Sequence, residues 1–317
     1  MAPWGRQVNS FMRWIVSASS ATLIRRQAKG LRGLPSLVLL AVGAHLSGCA
    51  WLSAKQSELA LRPTPGRPAA FASDTAGLRP DDVRFTVAVA QAGALSQQLA
   101  MWWLPHADPQ APTLLYLHGT FRNLYQNLPK IEALRDAGFA IVAVDYRGWG
   151  DSTRIVPTEA TIDADVQTAW AELQRRQPLP GRRVIFGHSM GGAVAVTLAS
   201  GLRGGSDYGA LVLESTFTGM PDVAAQAGFW GRVAAGLTTL QFNALAKIKR
   251  VDAPILMLHG DADRTVPVAL GRRLRDAAPP GVRWVEIPGG SHSHLHSQHP
   301  ELYRRAFTEF MAATLWR

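Results

Sequence analysis

The chain has 317 residues, 47% of them apolar, which is enough for one large core rather than several small domains. Its formal charge of +10 would suit a nucleic-acid binder, but six of those charges, Arg6, Arg13, Arg25, Arg26, Lys29 and Arg32, lie in the first 48 residues, which hold no acid. The remaining excess of four gives nucleic-acid binding little support, and a single cysteine excludes an intrachain disulfide.

In chain order, the basic N-terminal stretch runs into an apolar segment from Leu34 to Leu46, too short to span a bilayer comfortably, and then into small residues. That order reads as a secretory signal over residues 1–48. Leu46, Ser47, Gly48 and Cys49 resemble the bacterial lipobox, whose cysteine is lipidated and becomes the first residue of the mature protein. The resemblance implies a lipid anchor at Cys49. Ala50 stands where a retention aspartate would be, which implies the outer membrane's periplasmic face in the bacterial envelope. A small buried cysteine is the alternative reading. The leader is also long for its class, so Met12 is an alternative start. Residues 49–80, with the run from Pro63 to Pro68, are expected to tether the anchor flexibly to a folded domain over residues 81–317.

Val83, Phe85, Val87 and Val89 alternate with less apolar neighbours, the pattern of a half-exposed antiparallel edge strand. Thr113 to Leu117 forms a strand that leads into His118, Gly119, Thr120 and Phe121. Ala140 to Val144 is continuously apolar, as a parallel strand covered on both faces should be. Val166, Ala169, Trp170 and Leu173 recur at helical spacing. Val184 to Phe186, Ala210 to Leu213, Ile255 to Leu258 and Val282 to Ile287 read as further strands. The last helix opens at Pro300 and turns Phe307, Phe310, Met311 and Leu315 inward.

Between the Val184 strand and an Ala/Val-rich helix stands Gly187-His188-Ser189-Met190-Gly191. A serine on so sharp a strand-to-helix turn needs its neighbours two residues away to lack side chains, which nominates Ser189 as a nucleophile. Downstream come His259-Gly260-Asp261-Ala262-Asp263-Arg264-Thr265-Val266-Pro267 and then His292, each just past a strand end. Serine, acid and histidine in that order resemble the α/β-hydrolase superfamily from about Val83 onward. The His259 to Pro267 segment is similar to its serine-aminopeptidase and monoacylglycerol-lipase-like branch. The resemblance implies an α/β fold with a mostly parallel eight-stranded sheet flanked by helices. Residues 215–250 would supply a small helical insertion of one or two helices in place of a large cap.

Carried over residue by residue, the pattern implies Ser189 as nucleophile, Asp263 as orienting acid and His292 as general base. Asp261 is the alternative acid, and Glu214 is structural or pocket-lining. The oxyanion amides would come from Met190 and Thr120, with Phe121 as the alternative. Phe121, Trp149, Phe229 and Trp230 are candidate substrate contacts, and Tyr146 is another. The apolar residues of 215–250 either pack on the body or wall an acyl pocket. His118 and the Asp145 to Ser152 loop read as structural. His188 and His259 read as packed or hydrogen-bonded. His294, His296 and His299 lack the carboxylates or cysteines to complete a metal site. The function implied is hydrolysis of a small-molecule carboxylic ester, or an amide or thioester, without a cofactor. A serine peptidase and a non-catalytic envelope scaffold on the same fold remain alternatives.

Overall fold

A computed structural model describes residues 51–73, 76–89 and 96–314. The expected signal over 1–48, Cys49 and Leu315 lie outside them. Eight strands form one sheet: β1 Val83–Val89, β2 Gln97–Leu104, β3 Thr113–Leu117, β4 Ala140–Asp145, β5 Arg183–His188, β6 Ala210–Glu214, β7 Ile255–Gly260 and β8 Arg283–Ile287. Their spatial order is β1-β2-β4-β3-β5-β6-β7-β8. β2 runs antiparallel to both of its neighbours, and every other pairing is parallel. This is the α/β-hydrolase architecture that the resemblance implied.

The parallel strands β3 to β7 are buried at every position, which their unbroken apolar runs require. Edge strand β1 is mostly uncovered, so its sequence alternates. Alternate residues of each central strand feed two separate cores. Leu115, Val142, Ile185, Leu211 and Met257 face one side, with α3 (Glu159–Arg176) and α4 (Met190–Ala199). Tyr116, Ala143, Phe186, Val212 and Leu256 face the other, against α2 (Leu124–Asp136) and α10 (Pro300–Thr314). On α3, Val166, Ala169, Trp170 and Leu173 are all buried, and Thr158 and Thr161 close a capping box at its start.

Two expectations change. The stretch expected to be a flexible tether is packed on the domain. Residues 51–61 form a helix, α1, that buries Ser57 and Leu61. Beyond it, the carbonyls of Thr64 and Gly66 accept hydrogen bonds from Asn123 Nδ2, at 3.1 and 3.0 Å. The Gly66 amide donates to the Gly150 carbonyl at 2.7 Å and the Gly150 amide to the Thr64 carbonyl at 3.0 Å, so Pro63 to Pro68 finds its backbone partners in the domain. The insertion also contains three short helices rather than one or two: α5 Met220–Ala225, α6 Gly228–Leu237 and α7 Ala244–Ile248. Gly219, Gly228 and Thr238 interrupt what reads as one apolar stretch. Between β7 and α10 come α8 Val268–Ala277 and the single turn α9 Leu295–Gln298.

Candidate active site

Ser189 sits at the junction of β5 and α4, with φ of 56° and ψ of −121°. A non-glycine residue in that region is strained, and the neighbouring structure must hold it there. Its N–H donates to the Glu214 carbonyl at 2.9 Å, and its carbonyl accepts from Thr216 Oγ1 at 2.9 Å. A Cβ at Gly187 would collide with the Gly191 carbonyl, and one at Gly191 with the Leu117 carbonyl. The elbow therefore closes only with glycine at both positions.

His292 lies on the loop between β8 and α9 and spans the gap between serine and acid. Its Nε2 is 2.9 Å from Ser189 Oγ, and its Nδ1 is 2.8 Å from Asp263 Oδ2. Ser189 and Asp263 are buried, at 7% and 5% exposure. Burial by itself would raise the Asp263 carboxyl. Hydrogen bonds from His259, His292 and the Val266 amide outweigh it and hold the group below the usual carboxylate range. Its other oxygen accepts from the amides of Thr265 and Val266, both at 2.8 Å. Asp261 points elsewhere, accepting from the Gly289 amide at 2.6 Å. Glu214 is buried between Lys130 and the Tyr303 hydroxyl.

The loop after β3 presses against the elbow, since a Cβ built on Gly119 would lie 3.0 Å from that of Ser189. Phe121 takes φ of 72°, a second strained non-glycine residue beside the first. Among the described residues, the amides of Thr120, Phe121 and Met190 have no hydrogen-bond acceptor. An incoming oxyanion would satisfy these amides. His118 braces this loop: its Nδ1 donates to the Gly119 carbonyl at 2.6 Å, and its ring packs against those of Tyr146 and Trp149. Its Nε2 lies 3.4 Å from Asp145 Oδ1.

That packing corrects one candidate contact. Trp149 and Tyr146 are both 0% exposed, locked around His118, so neither faces the site's opening. The Asp145 to Ser152 loop is a scaffold in which Arg147 pairs with Asp165 at 2.6 Å. Phe121 is half-buried beneath the Arg62 guanidinium, 4.7 Å from its ring centre. Phe229 and Trp230 stand edge to face on the outer surface of α6. No cluster of three or more His, Cys, Asp or Glu fit to hold a metal occurs among the described residues.

Two histidines that the sequence marks only as packed or hydrogen-bonded turn out to hold the site in place. His188 donates from Nε2 to the carbonyl of His292 at 2.9 Å, and so fixes the loop that carries the imidazole. His259 donates to the Val266 carbonyl at 2.9 Å and lies 3.3 Å from Asp263 Oδ2, steadying the acid's turn.

Comparison with known proteins agrees with this fold. The profile of the Alpha/beta hydrolase family matches residues 114–306. The Escherichia coli (strain K12) protein YfhR is 29% identical over 225 residues, covering 69% of this chain and 78% of that protein. Lysophosphatidylserine lipase ABHD12 of Danio rerio is 33% identical over 196 residues, covering 56% of this chain and 50% of that protein. Among solved structures, the Pyrococcus furiosus esterase PF2001 superposes with a TM-score of 0.60 at 20% identity, over 79% of this chain and 97% of its own. With the family profile spanning the sheet from β3 through the histidine loop into α10, the chain belongs to the alpha/beta hydrolase family.

Proposed function

We propose that this chain is a serine hydrolase that cleaves carboxylic esters through an acyl-Ser189 intermediate. The observation that carries the reading is the unbroken hydrogen-bond relay from Ser189 Oγ through both ring nitrogens of His292 to Asp263. His292 takes the serine proton as Oγ attacks the ester carbon, then returns it to the departing alcohol. Asp263 stays ionised, holds the Nδ1–H tautomer and stabilises the imidazolium. The amides of Met190 and Thr120, or of Phe121, receive the oxyanion, and losing one such donor costs about 10²–10³ in rate. Water, activated by the same imidazole, then releases the acid.

The name of the zebrafish relative supports a lipid ester as substrate class, with amides and thioesters as weaker candidates. The lipobox-like Cys49 supports a lipid-anchored enzyme of the bacterial envelope, facing the periplasm. A fluorophosphonate probe should label the wild-type chain and leave Ser189→Ala unlabelled; equal labelling of the two would refute the nucleophile. Cys49→Ala should abolish processing and membrane fractionation.

A further inference from the structure

Most surface apolar residues are isolated, but here they concentrate. Nine large apolar side chains are exposed among the described residues, and six of them, Trp51, Leu52, Leu59, Phe229, Trp230 and Leu237, belong to two helices, α1 and α6. Those helices are stitched together. Gln56 Nε2 donates to the Leu237 carbonyl at 3.2 Å, the Thr239 amide donates to Gln56 Oε1 at 3.2 Å, and the hydroxyls of Ser53 and Thr239 meet at 3.3 Å. The α1 face that carries Trp51, Leu52 and Leu59 is opposite buried Ser57 and Leu61.

On α6, Phe229, Val233 and Leu237 recur every fourth residue, with Trp230 beside them. The opposite side is Gly231, which is buried; a Cβ there would collide with the Ala224 carbonyl. So α6 lies backbone-down on the body and turns its apolar side chains outward, the reverse of a helix that serves a core. Phe229 is 63% exposed and Leu237 60%.

We propose that this two-helix face docks onto a lipid bilayer. Three observations favour a bilayer as the occupant. Two exposed tryptophans and a phenylalanine on one surface match the amphipathic side chains that settle at a membrane interface. The only charged residue of α6 is Arg232, no carboxylate occurs between Asp222 and Asp252, and the one carboxylate of α1, Glu58, is paired with Lys55 at 2.6 Å, so the face presents little to repel anionic headgroups. The face also begins at Trp51, two residues after Cys49 and five after the apolar Leu34 to Leu46 run. The proposal rests on the anchor reading for what brings the chain to the membrane, though not for the contact itself.

Docking in this way ties the face to the chemistry. The insertion that carries α6 leaves the sheet at the C-terminal end of β6, and Glu214 there holds the Ser189 amide. The docked face and the nucleophile are thus joined through one end of the sheet, which suits a substrate that resides in the membrane.

The test places the mature, anchored chain in vesicles of phosphatidylethanolamine and phosphatidylglycerol with brominated acyl chains, which quench tryptophan on contact. Trp51→Phe/Trp230→Phe should lose at least half of the quenched fluorescence, whereas Trp284→Phe on β8 should lose none. An unchanged quenched fraction in the double variant, with the wild type still floating with vesicles, overturns the docking face and leaves the anchor intact. Quenching that persists in Cys49→Ala supports the face as a contact that needs no lipid anchor. A dimer in detergent solution that Phe229→Ser/Trp230→Ser disperses overturns the proposal in favour of a second copy of this chain.

Discussion

His188 shows how a single buried ring can set the position of another. Burial, reinforced by the charges of Lys130 and His292, holds it well below the ordinary histidine range, so it stays neutral. In that state its one proton sits on Nε2, donated to the carbonyl of His292. His188→Leu removes the donor and leaves that carbonyl unpaired, which should lower kcat roughly 10- to 100-fold with KM changing far less. His188→Gln places an N–H at a similar reach and should restore most of the loss; equal defects in both variants would reduce the residue to a space-filler. Asp263→Asn should slow ester turnover by about 10³–10⁴-fold with the circular dichroism spectrum preserved. Turnover that stays high would move the acid role to another carboxylate. Ser189, Asp263 and His292 were legible because each follows a strand end in a fixed order. His188 was not, because it fills the variable position of Gly-x-Ser-x-Gly, where the pattern is silent about what the side chain touches.

Among the elements, α2 was the least legible, although it braces the site from below. It holds Pro129 in its interior and buries Asn127, Lys130 and Arg135 among its apolar residues, so no clean apolar stripe marks it. The α6 helix is misleading in the opposite sense, since its apolar periodicity faces outward. Lys130 explains why α2 tolerates polar residues inside: it reaches Glu214 on β6, which also accepts from Tyr303 of α10 at 2.7 Å. Burial pushes the Lys130 ammonium down while the charge of Glu214 pulls it back up. Removing one partner of such a pair leaves an uncompensated buried charge. Lys130→Met should therefore cost about 3–5 kcal/mol, read as a lower denaturant midpoint. Lys130→Met/Glu214→Gln should recover most of that, because the Gln carbonyl still accepts from Tyr303 and no unpaired charge remains. A double variant as unstable as the single one would show that shape, not charge, is what matters.

At the scale of the whole molecule, these buried groups set the pH range of stability. His188 and His296 are both pushed down by burial, with Lys130 adding to it, His296 to about 4. Unfolded histidine takes up its proton near pH 6.5, so as the pH falls from 6.5 toward 4 the unfolded chain binds protons that the native chain refuses. Stability that is complete above pH 6.5 is lost across that window. Asp165 works the other way: burial raises it to about 6 against the pull of Arg147, so its native form gains a proton before its unfolded form does. His118 and Asp145 offset one another. Burial lowers the first to about 4 and raises the second well above the usual carboxylate range, so their contributions to proton uptake on unfolding oppose each other. Three histidines pushed down by burial, His188, His294 and His296, outnumber Asp165, so the chain takes up protons on unfolding and Tm falls as the pH falls from 6.5 toward 4. His188→Gln deletes one histidine from that balance, leaving His294 and His296 against Asp165. Its Tm should therefore fall less steeply from pH 6.5 to 4.5 than that of the wild type. Parallel wild-type and variant curves would mean that His188 is not the group that gives up native stability to acid.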